Sequence, residues 1–316
     1  MRIALVYNAR FPVKAYGGTE RVVWWLAKGL HEAGHDVTLV ADPKSQNPYG
    51  SVVPYEEKRI EGAIDNVDLY HYFAPPVIRP ERPYVVTIGG NGRLGEHFLP
   101  NTIFVSEDHA RRHRSTCFVH NGLDPDEYCY RRKKSDYAIF LGKASWNVKN
   151  VKGAVRIART ARVPLKVLGG KRWLFKRWRG VHWAGMVGGE EKAELIAGAR
   201  ALLFPVIWNE PFGIAVTEAL VSGTPVVARR MGSLPELVVP EVGYLCDSMH
   251  EFVRALSEVD HFSSVTCREW VLENFTYTKM ADKYLQYYAE VLNGRVLNPT
   301  PPHAVASPSV TFPIPE

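Results

Sequence analysis

Short apolar runs alternate with helical periodicity along nearly the whole chain, and this alternation restricts the fold more than any other feature. Residues 2–7 read as a buried strand. Residues 19–33 place Val23, Leu26, Ala27, Leu30 and Ala33 on one helical face, Gly34 stops that helix, and 36–41 form the next strand. Further strands are expected at 67–73, 84–88, 103–106 and 117–120. The second half repeats the rhythm, with strands at 138–141, 165–168, 181–184, 201–204 and 225–228 and helices at 151–161, 190–199 and 212–221. Strands separated by helices cannot pair as tight hairpins, so the pattern implies parallel sheets in a doubly wound α/β fold.

At roughly 100–200 residues per domain, 316 residues suggest two domains. Residues 121–136 contain Asn121-Gly122, Pro125 and Arg131-Arg132-Lys133-Lys134 with little apolar periodicity, and they mark the boundary. The expected division is 1–122, then 123–292, with a last helix at 277–292 free to pack back on the first domain. Residues 293–316 read as a Pro- and Ser-rich disordered tail. The composition is that of an ordinary globular protein, with a formal net charge of +6 that permits an anionic partner without identifying one. No apolar run reaches the roughly 18 residues of a membrane span, and the start is too short for a signal peptide. The four cysteines form no Cys-x-x-Cys, which argues against a disulfide framework or a zinc knuckle. A cytoplasmic, reducing location follows as the expectation.

Three stretches carry candidate chemistry. Gly17-Gly18-Thr19-Glu20 opens the first helix, where glycines permit close backbone approach and free N–H groups suit an anion. It is not Gly-x-Gly-x-x-Gly, and on this feature alone a tight turn with a Thr19 cap is the better explanation. The sharpest constellation is Phe204-Pro205-Val206-Ile207-Trp208-Asn209-Glu210-Pro211-Phe212-Gly213-Ile214, followed by Glu218. Pro211 suits a first helical turn, and Gly213 lets a ligand approach the backbone. Glu210 before the helix and Glu218 within it can accept hydroxyl hydrogen bonds, while N–H groups near Phe212, Gly213 and Ile214 suit phosphate. A cationic partner is available in Lys143, at the end of a strand, with Lys149 and Lys152 following.

Taken together, these motifs resemble glycosyltransferase family 4, a retaining, nucleotide-sugar-dependent class with the GT-B fold. The resemblance rests on Tyr16-Gly17-Gly18-Thr19-Glu20, His120-Asn121-Gly122-Leu123-Asp124, Gly142-Lys143 with Lys149, and Glu210-x7-Glu218. Gly223-Thr224-Pro225-Val226-Val227-Ala228 and Gly232-Ser233-Leu234-Pro235-Glu236 fit the same pattern. It implies two Rossmann-like domains facing each other across a cleft and transfer of a hexose from a UDP-, GDP- or ADP-linked donor. The acceptor, whether saccharide, lipid-linked or small molecule, is left open. By the resemblance, Glu210 would bind the donor sugar and Glu218 the ribose. Lys143, where the family usually has Arg, and Lys149 would neutralise the diphosphate. Gly17 and Gly18 would line its other side, Phe212, Gly213 and Ile214 would offer backbone N–H groups, and Gly185-Met186-Val187 would lie near the base. The family works without a metal or other cofactor. One departure is that the family's histidine in Thr-x-His corresponds here to Gly89 of Thr87-Ile88-Gly89.

Alternatives on the same architecture are a nucleotide-sugar epimerase or a sugar phosphorylase, and more remotely a membrane- or nucleic-acid-binding module. Asp124-Pro125-Asp126 has an Asp-x-Asp form, but a turn accounts for it. His109 and His113 have zinc-compatible spacing but no evident third ligand, so a solvated helix face is expected. Lys171-Arg172-Trp173-Leu174-Phe175-Lys176-Arg177-Trp178-Arg179 mixes bases with aromatics. An exposed loop is the first reading, peripheral contact with the inner face of a membrane the second, and nucleic acid is not expected. Trp24 and Trp25 suit core and rim positions.

Overall fold

The computed structural model describes residues 1–13, 17–170 and 179–305. The chain divides after Leu123 into two compact units, and the described residues from Phe275 onward belong to the first.

The N-terminal unit contains β1 (Arg2–Val6), α1 (Gly18–Glu32), β2 (Asp36–Ala41), β3 (Gly50–Pro54), β4 (Leu69–Tyr72), β5 (Tyr84–Ile88), β6 (Thr102–Phe104) and α2 (Glu107–Arg112). The C-terminal unit contains β7 (Ala138–Leu141), α3 (Val151–Thr160), β8 (Leu165–Leu168), β9 (Val181–Gly185), α4 (Gly189–Ala197), β10 (Ala201–Phe204) and α5 (Ile214–Val221). It continues through β11 (Val226–Arg229), α6 (Leu234–Leu237), β12 (Gly243–Cys246), α7 (Met249–Glu258) and α8 (Ser264–Asn274). Helix α9 (Tyr277–Leu292) returns to the N-terminal unit.

Each unit has a six-stranded sheet whose paired strands all run parallel, with orders β3-β2-β1-β4-β5-β6 and β12-β11-β10-β7-β8-β9. Both are the Rossmann order, which reverses between β1 and β4 and between β7 and β10. Ligands of such sheets bind outside the carboxyl ends of the strands at that reversal. The doubly wound α/β expectation therefore holds in both units. The central strands β7 and β10 are apolar at every position, as a sheet covered on both faces favours, whereas β4 and β5 bury His71 and Thr87 among apolar neighbours.

Several local expectations need correction. Residues 117–120 make only an isolated bridge, Phe104 to Phe118, because the chain leaves the sheet edge there. β3, β12, α7 and α8 were not expected. β3 is a partly exposed edge strand of the order-ending kind, and it lacks the apolar run that marks the central strands. The stretch from 293 does not behave as a free tail over its described part. Asn298 is 6% exposed, and its Nδ2 donates to Pro100 O at 2.7 Å and Thr102 O at 2.9 Å. The Ser115 hydroxyl donates to Asn298 Oδ1 at 2.6 Å. Residues 306–316 lie outside the described residues, as do 171–178 of the basic aromatic segment.

At the junction, Leu123 N donates to Phe275 O and Tyr277 N to Leu123 O, both at 2.9 Å. A Cβ at Gly122 would lie 2.2 Å from Thr276 O, so only glycine fits this crossing.

Candidate donor-binding site

The loops after β7 and β10 leave the two strands that flank the C-terminal switch point. In the first, Asn150 adopts φ 55°, caps α3 by accepting from Gly153 N at 3.0 Å, and donates through Nδ2 to Pro205 O at 2.8 Å. Ile207 N donates to Val148 O at 2.9 Å. These bonds fasten the Lys149 turn to the Glu210 loop. Asn150 and Gly153 form a tight pair, since a Cβ at Gly153 would fall 2.3 Å from Asn150 Nδ2.

Lys149 Nζ donates to both oxygens of Glu210, at 2.8 and 2.7 Å. Trp208 Nε1 donates to Glu210 Oε2 at 2.7 Å. Side-chain exposure is 12% for Lys149 and 7% for Glu210, so the pair is largely withdrawn from water. The Lys149 ammonium also stands 4.9 Å from the Trp208 ring centre and 5.3 Å from that of Phe204. Lys143 is placed through Trp146: its ammonium lies 4.7 Å from that ring centre.

A second loop buttresses Glu210 from below. Ser233 N donates to Glu210 O at 3.0 Å, and its hydroxyl donates to Phe212 O at 2.5 Å. Gly232 has φ 61°, and a Cβ there would lie 2.4 Å from Glu210 N. The Gly232-Ser233 step thus holds the loop that carries Glu210.

Helix α5 begins at Ile214, later than the sequence suggested, because Gly213 takes φ 102° and ends the loop. Pro211 accordingly lies ahead of the helix rather than in its first turn. Gly213 provides no side-chain cap, and the first turn of α5 carries no acid. Its leading N–H groups, from Ile214 onward, face the end of the helix dipole that favours an anion.

Glu218, 4% exposed, makes a separate pair. Its Oε1 accepts from Lys192 Nζ of α4 at 2.6 Å and from the Tyr128 hydroxyl at 2.7 Å. Neither Lys192 nor Tyr128 was singled out from the sequence. A lone lysine in Glu190-Glu191-Lys192 carries no distinguishing pattern, and only the packing of α4 beside α5 reveals it. Met186, half-exposed beyond β9, accepts from Gly170 N at 3.2 Å.

Gly17 and Gly18 belong to the N-terminal unit. Gly17 is the N-cap of α1 and makes no side-chain cap bond; Thr19 is not the cap, and its side chain bonds Tyr7 instead. The expected solvated face at His109 and His113 is also overturned. Both are buried: His109 donates from Nε2 to Gly90 O at 3.0 Å, and His113 has His109 O 2.8 Å from Nδ1 and Asn91 O 2.9 Å from Nε2, a neutral ring donating to one of them. Burial lowers both below the ordinary histidine range, His109 well below it. Asp124 accepts from Asp126 N at 3.1 Å, a turn bond. Among the described residues no cluster of three His, Cys, Asp or Glu could hold a metal, and no helix is long and apolar enough to cross a membrane.

Residues 135–259 match the family model for glycosyl transferases group 1. The MMP alpha-(1->4)-mannosyltransferase of Mycolicibacterium hassiacum is 43% identical over 61 residues, 19% of this chain and 15% of that protein. The structure of AviGT4, a glycosyltransferase involved in avilamycin A biosynthesis, matches with a TM-score of 0.79 and 26% identity, covering 93% of this chain and 98% of that one. The comparisons support a glycosyltransferase of GT-B fold. An Anabaena protein, HepE, in complex with UDP and glucose shares the fold at 14% identity and a TM-score of 0.66, covering 92% of this chain and 100% of that one. The chain spans only 15% to 34% of the length of the curated relatives it matches.

Proposed function

We propose that the protein is a retaining, metal-independent glycosyltransferase of family 4 that moves a hexose from a nucleoside diphosphate sugar to an acceptor. The observation that carries this reading is the meeting of Lys149, Glu210 and the uncapped start of α5 at the carboxyl ends of β7 and β10. A nucleoside diphosphate sugar is an anion with a hydroxylated group at each end. The ammonium groups of Lys149 and Lys143 and the N–H groups from Phe212, Gly213 and Ile214 meet the diphosphate. Glu210 accepts hydroxyls of the sugar. Glu218 accepts the ribose hydroxyls, since a carboxylate offers about four lone-pair sites and two are taken by Lys192 and Tyr128.

Breaking the bond between sugar and phosphate develops negative charge on the departing diphosphate. Preformed cations and helix N–H groups stabilise that charge more in the transition state than in the ground state. With no ligand, Lys149 is neutralised by Glu210, which keeps a buried ammonium from standing alone. An arriving diphosphate shares that ammonium, and Glu210 is released to accept sugar hydroxyls. Departure of the leaving group on the side from which the acceptor enters retains the configuration, with a phosphate oxygen taking the acceptor proton.

The decisive experiment is thermal unfolding with UDP, GDP and ADP. A ligand at 100 times its Kd stabilises by about 2.7 kcal/mol, which is readily seen. Stabilisation by one of the three, weakened in Glu218→Ala, is expected. No shift with any of them would overturn the reading.

A further inference from the structure

Two tryptophans border the Lys149–Glu210 pair, and the donor chemistry above uses neither. Trp146 lies between the two candidate lysines. Its N–H donates to Lys143 O at 2.9 Å, and its carbonyl accepts from Lys149 N at 3.0 Å. Trp208 is anchored to Glu210 by its indole N–H. The two rings meet edge to face, 6.3 Å apart with an interplanar angle of 78°. Trp146 is nevertheless 43% exposed, so a large aromatic surface stands in water beside a buried carboxylate.

Backbone bonds on both sides preset Trp146, and the loop carrying Trp208 is stitched to its loop through Val148 and Pro205. A flat apolar surface next to a carboxylate and two ammonium groups is complementary to one kind of molecule in particular. A pyranose ring has an apolar C–H face and a rim of hydroxyls. It can lay that face on an indole while a carboxylate accepts from the rim.

We propose that Trp146, backed by Trp208, is a hexose platform: it carries the C–H face of a pyranose whose hydroxyls reach Glu210. The proposal rests on the functional reading above and adds a specificity determinant to it. The pyranose is either the donor's own or that of a sugar acceptor, and a nucleotide without a sugar gains nothing from this surface.

The test compares wild type, Trp146→Ala and Trp146→Phe in two titrations. The first uses UDP, GDP and ADP against UDP-glucose, GDP-mannose and ADP-glucose. The second uses methyl α-D-glucopyranoside and methyl α-D-mannopyranoside on protein saturated with the nucleotide that binds best. Because the Lys143 ammonium rests on the Trp146 ring, the reading is the ratio of sugar-bearing to bare-nucleotide affinity, which is expected to fall about five- to tenfold in Trp146→Ala and far less in Trp146→Phe; for the methyl glycosides, titrated on nucleotide-saturated protein, the affinity itself is read. A loss confined to the nucleotide sugar assigns the donor hexose; a loss confined to the methyl glycoside assigns the acceptor. Equal affinities in wild type and Trp146→Ala for every probe would overturn the platform. A loss for the bare nucleotide as large as that for the nucleotide sugar, with no loss for the glycosides, would also overturn it and leave Trp146 as the support of Lys143. If wild type binds no nucleotide, the functional reading fails separately, and the glycosides alone decide: binding by wild type but not Trp146→Ala keeps the platform, and binding by neither ends it.

Discussion

In the C-terminal unit the strands at the switch point lead into buried charge: Lys149 against Glu210, and Glu218 on the following helix against Lys192. In the N-terminal unit the same region of an identically ordered sheet carries a neutral network. His71 of β4 is hydrogen-bonded to Tyr288 and to Thr87 of β5, both at 2.7 Å, and Thr87 to Tyr284 at 2.9 Å. Burial pushes His71 down to about 3 and the Tyr284 phenol far up, so neither ionises near neutral pH. Buried charge is costly and needs a partner, whereas a neutral network needs only complete hydrogen bonding. One unit therefore holds paired buried charge, which the proposed function assigns to an ionic ligand. The other uses its polar groups to bind its own helix, α9.

The largest effect that could break this contrast is at Glu210. Glu210→Ala leaves a nearly buried ammonium without its carboxylate, which costs about 3–5 kcal/mol. Transferase activity is expected to fall by about 10²-fold or more. The double variant Lys149→Met/Glu210→Leu should recover most of the stability, because an apolar pair replaces an ionic one, and yet remain inactive. Chemical denaturation alongside an activity assay separates the two. A stable and active double variant would show that the charges serve nothing but the fold.

Gly232→Ala comes next. The new Cβ collides with the backbone of Glu210, and φ 61° is unfavourable for alanine. A loss of about 1–3 kcal/mol is expected, with activity reduced because the Glu210 loop must shift. If unfolding midpoint and activity both match wild type, the Gly232-Ser233 step is not what holds that loop.

How much of this contrast the sequence could disclose depended on the type of contact. The sheets were legible because parallel strands covered on both faces are apolar throughout, as in Ala138-Ile139-Phe140-Leu141. β3 was not, since an edge strand with exposed positions has no such run. Glu210 and Glu218 stood out by motif and spacing, and Lys143 and Lys149 by following a strand end as well as by resemblance. Two of their partners did not: Tyr128 and Lys192 reach Glu218 through tertiary packing, and nothing in their own neighbourhoods predicts it, whereas Trp208 lies in the same loop as Glu210. His109 and His113 were misread for the same reason. The helix that carries them is short and polar, and only the fold reveals that it turns those rings inward.

The N-terminal network makes a pH prediction of definite sign. His71 is neutral when folded down to about pH 3, whereas an unfolded histidine takes up a proton below about 6.5. The unfolded chain thus binds more protons between those values, and stability falls as pH falls through 6.5. The slope approaches about 1.4 kcal/mol per pH unit, or about 2 kcal/mol by pH 5. His109 and His113 act in the same direction. Urea titrations at pH 7.5 and 5 should show this loss in wild type and a smaller one in His71→Gln. An equal loss in both would remove His71 from the account.

The smallest effect sharpens the comparison from the charged side. Lys134 Nζ donates to Ala197 O at 2.8 Å, Ser222 O at 3.1 Å and the Thr224 hydroxyl at 3.1 Å, so one ammonium joins the carboxyl ends of α4 and α5. Those are the helices that carry Lys192 and Glu218. Burial brings Lys134 down to about 8 from an ordinary 10.5. Between those values the unfolded chain holds the extra proton, so wild type gains stability from this group as pH rises from 8 to 10.5. Lys134→Met is expected to lose about 1 kcal/mol at pH 7, through the unsatisfied helix ends, and to lose that alkaline rise as well. Nucleotide affinity should weaken by about two- to threefold as the Glu218–Lys192 pair loosens. Stability lost without any change in nucleotide affinity would confine Lys134 to holding the helix ends, and would leave the Glu218 pair positioned by α5 alone.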